Sequence, residues 1–82
     1  MDYVKLTERL IKAVVKDTDA VSVKEFPSDD EKKIEIQVLV NEDDMKRVIG
    51  KSGRTINSIR TIIAASSSLH DHKYINLNVE GF

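Results

Sequence analysis

Eighty-two residues are enough for one domain with a modest core. The chain has no cysteine, which excludes a disulfide frame and a thiolate metal site. Charges at Asp2, Lys5, Glu8, Arg9 and Lys12 argue against a signal peptide, and no apolar run is long enough to cross a bilayer, so the expected location is the cytoplasm.

Residues from about Tyr3 to Asp17 read as an amphipathic helix. At about 100° per residue, Tyr3, Leu6, Leu10, Ile11 and Val14 share one face. Lys5, Glu8, Arg9, Lys12 and Lys16 cover the other. Both signs of charge on the polar side mark the stripe as core rather than a membrane-binding surface. Thr18-Asp19 stops the helix, and Val21 to Phe26 is a short strand. Pro27-Ser28-Asp29-Asp30 is dense in turn residues, and Asp29-Asp30-Glu31 reads as a solvated tip.

Ile34, Ile36, Val38 and Val40 then alternate with Glu35, Gln37, Leu39 and Asn41. That period of two predicts a strand buried on one face, paired with the preceding strand as a hairpin. Asn41 to Asp44 supply N-cap side chains and early acidic residues for a short helix over about Asp43 to Ile49. A second helix runs from Gly53 to about Ser67, with Ile56, Ile59 and Ile63 on one stripe. Ser66-Ser67-Ser68 weakens it and leads into the His70-Asp71-His72 loop. Tyr74 to Glu80 alternates again, with Ile75, Leu77 and Val79 inward. The order α-β-β-α-α-β predicts an α+β fold: a three-stranded mixed sheet with three helices on one face. The last two strands run parallel through a right-handed helical crossover.

Between the two central helices lies Val48-Ile49-Gly50-Lys51-Ser52-Gly53-Arg54-Thr55-Ile56. Glycine takes positive φ without penalty and lets a ligand reach the backbone. The helix beginning near Gly53 points free N–H groups and the positive end of its dipole into the loop, which suits a phosphate. Charge distribution agrees. Residues 1–44 carry 7 basic and 12 acidic side chains, whereas residues 45–82 carry 6 and 2. From Met45 to Ile62 there are Lys46, Arg47, Lys51, Arg54 and Arg60 and no carboxylate. Local field, not the net charge of −1, decides which anion docks.

A Gly-x-x-Gly loop that clamps about four nucleotides is the recognition mode of KH modules. The chain resembles a type II KH domain, and more closely the small bacterial KhpA family, over nearly its whole length. The most specific residues are Arg47-Val48-Ile49-Gly50-Lys51-Ser52-Gly53-Arg54-Thr55-Ile56 followed by Ile59-Arg60-Thr61. The resemblance implies single-stranded RNA binding in a groove between the two core helices and the sheet edge. It also implies a homodimer, and a complex with a larger KH protein of the Jag/EloR type (KhpB). RNA-chaperone-like regulation, cell-wall growth and cell shape follow by the same resemblance.

On this reading the Gly50 and Gly53 backbone approaches the sugar-phosphate chain, and Lys51 and Arg54 neutralise phosphates. Arg47 and Lys46 make outer contacts, and Ser52 adds a hydrogen bond. Val48, Ile49 and Ile56 line an apolar floor for bases, or, for Val48 and Ile56, pack in the core. No aromatic residue in the groove stacks bases, so one copy binds weakly and with little sequence selectivity. Ile62 lies about 100° from the centre of the buried stripe. A dimer through Thr61, Ile62 and Ala65 would raise the apparent affinity.

Other chemistries fit less well. A nucleotide-binding P-loop needs a glycine five residues before Gly50, where Met45 stands, and a strand before the loop. His70 and His72 are a poor metal set without further ligands. No nucleophile and base pair up, so no enzyme and no cofactor are expected. A dimerisation adaptor with little RNA binding, or a single-stranded DNA binder, are the alternatives.

Overall fold

The computed structural model describes residues 2–82. The elements are α1 (Tyr3–Lys12), β1 (Ser22–Phe26), β2 (Lys33–Val40), α2 (Met45–Ile49), α3 (Arg54–His70) and β3 (Tyr74–Gly81). Single 3-10 turns cover Thr18–Ala20, Glu42–Asp44 and Lys51–Gly53. The sheet order is β1-β2-β3. The hairpin expected from the turn residues is present: β1 runs antiparallel to β2, with Ser22 opposite Leu39 and Phe26 opposite Glu35. β3 runs parallel to β2, with Lys33 opposite Tyr74 and Val40 opposite Gly81. This is the α+β, type II KH arrangement that the periodicities and the resemblance predict.

The alternation in β2 is realised residue by residue. Ile34, Ile36, Val38 and Val40 are buried, and the residues between them are half-buried. They join Tyr3 and Ile11 of α1, Val48 of α2, Ile56, Ile59 and Ile63 of α3, and Leu77 of β3 in one core cluster. Burial of large aliphatic side chains supplies about 1.5–3 kcal/mol each, which makes this the main stabilising term.

Two helix ends differ from the periodicity-based boundaries. α1 stops at Lys12 rather than continuing to Asp17. Val14 and Val15, a β-branched pair of low helix propensity, both donate to the Ile11 carbonyl, at 3.1 and 3.2 Å, which tightens the last turn. Beyond them the Lys16 and Asp17 N–H groups donate to the Asp44 carboxylate at 3.1 and 2.9 Å instead of to helical carbonyls. α3, by contrast, passes through its three serines and ends at His70. Ser67 is buried; its hydroxyl donates to the Lys73 carbonyl at 2.7 Å, and its carbonyl accepts from the Asp71 and His72 N–H groups. One serine therefore closes the helix and starts the return to β3.

Candidate nucleic-acid interface

The short helix α2 ends at Gly50, whose φ of 74° and ψ of 177° turn the chain sharply. Ser52 follows at φ 56°, ψ 27°, and Gly53 at φ 78°, ψ 11°. Three of the four loop residues thus have positive φ. The Gly50 N–H closes α2 on the Lys46 carbonyl at 2.9 Å, and the Gly53 N–H donates to the Gly50 carbonyl at 3.3 Å. A side chain at Gly50 has nowhere to go: an added Cβ would lie 2.8 Å from Thr55 Cβ and 2.9 Å from the Thr55 nitrogen. Thr55 fills the inside of the bend.

α3 begins immediately after this turn, and no side chain caps its N-terminus. A helix of 17 residues therefore presents its positive end, and first-turn N–H groups without a capping side chain, at the loop. Lys51, Ser52 and Arg54 are exposed around it. The ion pairs among the described residues are Lys12–Glu8, Lys33–Glu35 and Arg47–Asp44, so no carboxylate covers Lys51 or Arg54. The helix end and two cations outside any ion pair among the described residues thus share one open surface, the combination that suits an anion.

The remaining sequence candidates divide. Lys46 is exposed and uncommitted among these ion pairs. Arg47 is turned back along α2, donating to Asp44 Oδ1 at 3.0 Å and to the Asp43 carbonyl at 3.3 Å, so it is engaged on the side away from the loop. Val48 has no exposed surface and Ile56 only 6%. Both are core residues and neither offers a face to a base; this corrects their placement on a groove floor. Ile49 is the apolar residue that reaches solvent beside the loop, at 39% exposure. Adjacent residues on a helix point about 100° apart, and α2 turns Val48 into the core and Ile49 towards solvent.

β3 is an edge strand. Its even-numbered residues turn their backbone N–H groups towards β2, as the Tyr74 and Phe82 N–H bonds to the Lys32 and Val40 carbonyls show. The Leu77 carbonyl points to the free side, where the Arg60 guanidinium donates to it at 3.1 Å and to Asn57 at 3.4 Å. Arg60 thus ties α3 to the strand edge along the wall of the expected groove. Thr61, Ile62 and Ala65 are all exposed on the outer side of α3.

Asp44 is the residue that sequence reasoning missed. It is one of three consecutive acids ahead of a helix, and among the expected capping residues Asn41 to Asp44 the side-chain cap is made by Asn41, which accepts the Asp43 N–H at 3.0 Å. Asp44 is 2% exposed and collects the Lys16 and Asp17 N–H groups and Arg47. The Asp17 N–H bond holds its carboxyl below the usual carboxylate range, helped by Lys16 and Arg47 and opposed by burial. It joins the end of α1 to the start of α2, and so sets where the loop stands. Nothing in the residue pattern distinguishes it from Asp43 until α1 is in place.

Comparison with known proteins agrees with this geometry. The KH domain description of KhpA/KhpB matches residues 4–79. The chain belongs to the KhpA/KhpB KH-domain family. It is 39% identical over 75 residues to the protein named RNA-binding protein KhpA of Thermotoga maritima, covering 92% of this chain and 95% of that protein. The like-named protein of Halalkalibacterium halodurans is 38% identical over 63 residues, covering 77% of this chain and 80% of the other. Among solved structures, Era in complex with MgGDPNP and nucleotides 1506–1542 of 16S ribosomal RNA superposes with a TM-score of 0.66. That match covers 96% of this chain but 30% of Era, at 16% identity, and so shows the shared fold alone.

Proposed function

We propose that this protein binds single-stranded RNA without catalysis, through the Gly50–Gly53 loop and the start of α3. The observation that carries the reading is the uncapped N-terminus of α3 behind a positive-φ turn, flanked by Lys51 and Arg54 with no carboxylate over them. Gly50 and Gly53 give the sugar-phosphate chain access to the backbone, Lys51 and Arg54 neutralise phosphates, and Ser52 donates a hydrogen bond. Ile49 gives an apolar contact to a base, Lys46 an outer charge, and Arg47 supports α2 from behind. The name of the relatives, RNA-binding protein KhpA, supports the same ligand.

The chain works in the cytoplasm as a homodimer or with a larger KH protein of the Jag/EloR type. Its output is RNA-chaperone-like regulation linked to cell-wall growth and cell shape. Exposure of Ile62 at 46% supports pairing through α3. No helix among the described residues is long and apolar enough to cross a membrane.

The test titrates labelled single-stranded RNA and DNA against the native protein and a Lys51→Asp/Ser52→Asp variant. The variant stays folded, because both residues are exposed, and loses RNA binding. Equal, negligible binding by both proteins would favour the adaptor reading instead. Tighter binding of DNA than RNA would reassign the ligand.

A further inference from the structure

The helices pack on the face of the sheet where Ile34, Ile36, Val38 and Val40 are buried. On the other face the described side chains are half-buried or exposed. Gln37 points to it from the central strand, with Lys24 of β1 and Asn78 of β3 beside it in one row. Phe26 stands next to Glu35 in the row on one side, and Glu80 next to Leu39 in the row on the other. Three hollows of ≈ 110, ≈ 330 and ≈ 460 Å³ adjoin here. Phe26 and Gln37 line both of the first two, and Glu35 lines both of the last two, so together they make one trough from the Pro27–Asp30 turn to Glu80. The Phe26 ring is 44% exposed in it. The face makes its own polar contacts at the turn end, where Glu35 accepts from Asn76 at 3.0 Å and pairs with Lys33 at 3.2 Å. Among the described residues, the Gln37 and Asn78 carboxamides in the next row take no part in them.

Charge decides what this trough can hold. Asp29, Asp30, Glu35 and Glu80 line it against Lys24 and Lys33, and Lys33 is already paired with Glu35. This is the reverse of the Lys51–Arg54 loop, which stands in the helix layer. A phosphate backbone is repelled from it and a cationic chain is attracted. We propose that the open sheet face docks an extended, arginine-rich segment of a partner protein. Alternate side chains of an extended chain point the same way, so arginines at every second position all face the sheet. The exposed Phe26 ring offers a guanidinium its π face. Gln37 and Asn78 each carry a donor and an acceptor for the backbone of the segment. Lys33, which lines the turn hollow, and Leu39, opposite Glu80, are six residues apart along β2. At about 3.3 Å per residue that is about 20 Å, the length of about seven extended residues. The proposal is independent of the RNA reading, since it uses the opposite side of the sheet.

The probe is a fluorescein-labelled peptide of alternating arginine and threonine, seven residues long, with a control in which glutamine replaces each arginine. Fluorescence anisotropy without RNA should show the arginine peptide binding the native protein, more weakly as salt rises, and the control not binding. Glu80→Lys and Phe26→Ala should each weaken the arginine peptide, the charge reversal by at least about fivefold. The Lys51→Asp/Ser52→Asp variant should bind the peptide as the native protein does, and Glu80→Lys should bind RNA as the native protein does, so the two sites fail separately. No binding above the control, or equal binding by Glu80→Lys and the native protein, overturns the proposal. Tighter RNA binding by Glu80→Lys with no change for the peptide would assign the face to RNA and overturns it as well. Peptide affinity that falls as protein concentration rises would place a second copy on the face, with the same consequence. If a variant fails to fold by circular dichroism, amide chemical shifts of the native protein decide. The peptide should move residues 35–39 and 76–80, and shifts confined to residues 50–53 would reject the site.

Discussion

At the scale of single residues, the loop rests on what Gly50 lacks. Its φ of 74° and the contact with Thr55 both exclude a β-carbon. Gly50→Ala is expected to lower stability by about 1–3 kcal/mol from a backbone region, φ 74° and ψ 177°, that is nearly confined to glycine, with more from displacing Thr55. The measurement is urea unfolding, with RNA affinity read on the fraction that stays folded. Asp44 makes a second residue-scale prediction. Its folded pKa is depressed, so its contribution is present above the ordinary carboxylate pKa of about 3.9 and is lost as pH falls through the lower folded value. The melting temperature should therefore drop on acidification below about pH 4. Asp44→Asn should lower it at neutral pH and flatten that dependence. An unchanged acid slope in the variant would assign it to other carboxylates, with Asp71 and Glu35 the first to examine. Asp71 is held low chiefly by the Tyr3 hydroxyl, and Glu35 chiefly by the Asn76 side chain and then by Lys33.

Elements add constraints that no residue carries alone. α1 opens on Asp2, whose carboxylate accepts the Lys5 N–H at 3.1 Å. Removing that cap with Asp2→Ala should cost about 1 kcal/mol, seen as a shift of the thermal midpoint. α3 is held at its far end by Ser67, where a buried hydroxyl meets the Lys73 carbonyl. Ser67→Ala leaves that carbonyl without the hydroxyl donor and should cost about 1–3 kcal/mol. Faster amide exchange from Ser67 to Tyr74 than in the rest of α3 would show that the effect is local. Both helices were legible as elements, because apolar spacing is a local signal. Their ends were not. The end of α1 depends on a carboxylate 27 and 28 residues away, and the serine run ends no helix because one of its members is buried against the following turn.

For the whole molecule, charge is segregated rather than scarce. The formal net charge is −1, yet the loop face carries Lys46, Lys51 and Arg54 free of carboxylates. Binding should weaken with salt as though about two to three phosphates were neutralised. At about −0.7 per phosphate for single strands, the log–log slope is near −2. A slope near zero would remove the electrostatic basis of the site.

What the chain's own order of residues determined is what depends on near neighbours. Period-two alternation named β2 and its buried face. Glycine spacing located the turn, and the run from Met45 to Ile62 without a carboxylate marked the basic surface. Only the folded arrangement decided which members of that surface are left without a partner. Arg47 and Arg60 look equivalent to Lys51 and Arg54 in sequence, but a buried aspartate and a strand-edge carbonyl claim them. Val48 and Ile49 are adjacent and chemically alike, yet the sheet takes the first and leaves the second in water. Such choices depend on which groups distant segments bring within hydrogen-bond or packing distance, and a local pattern holds no record of that.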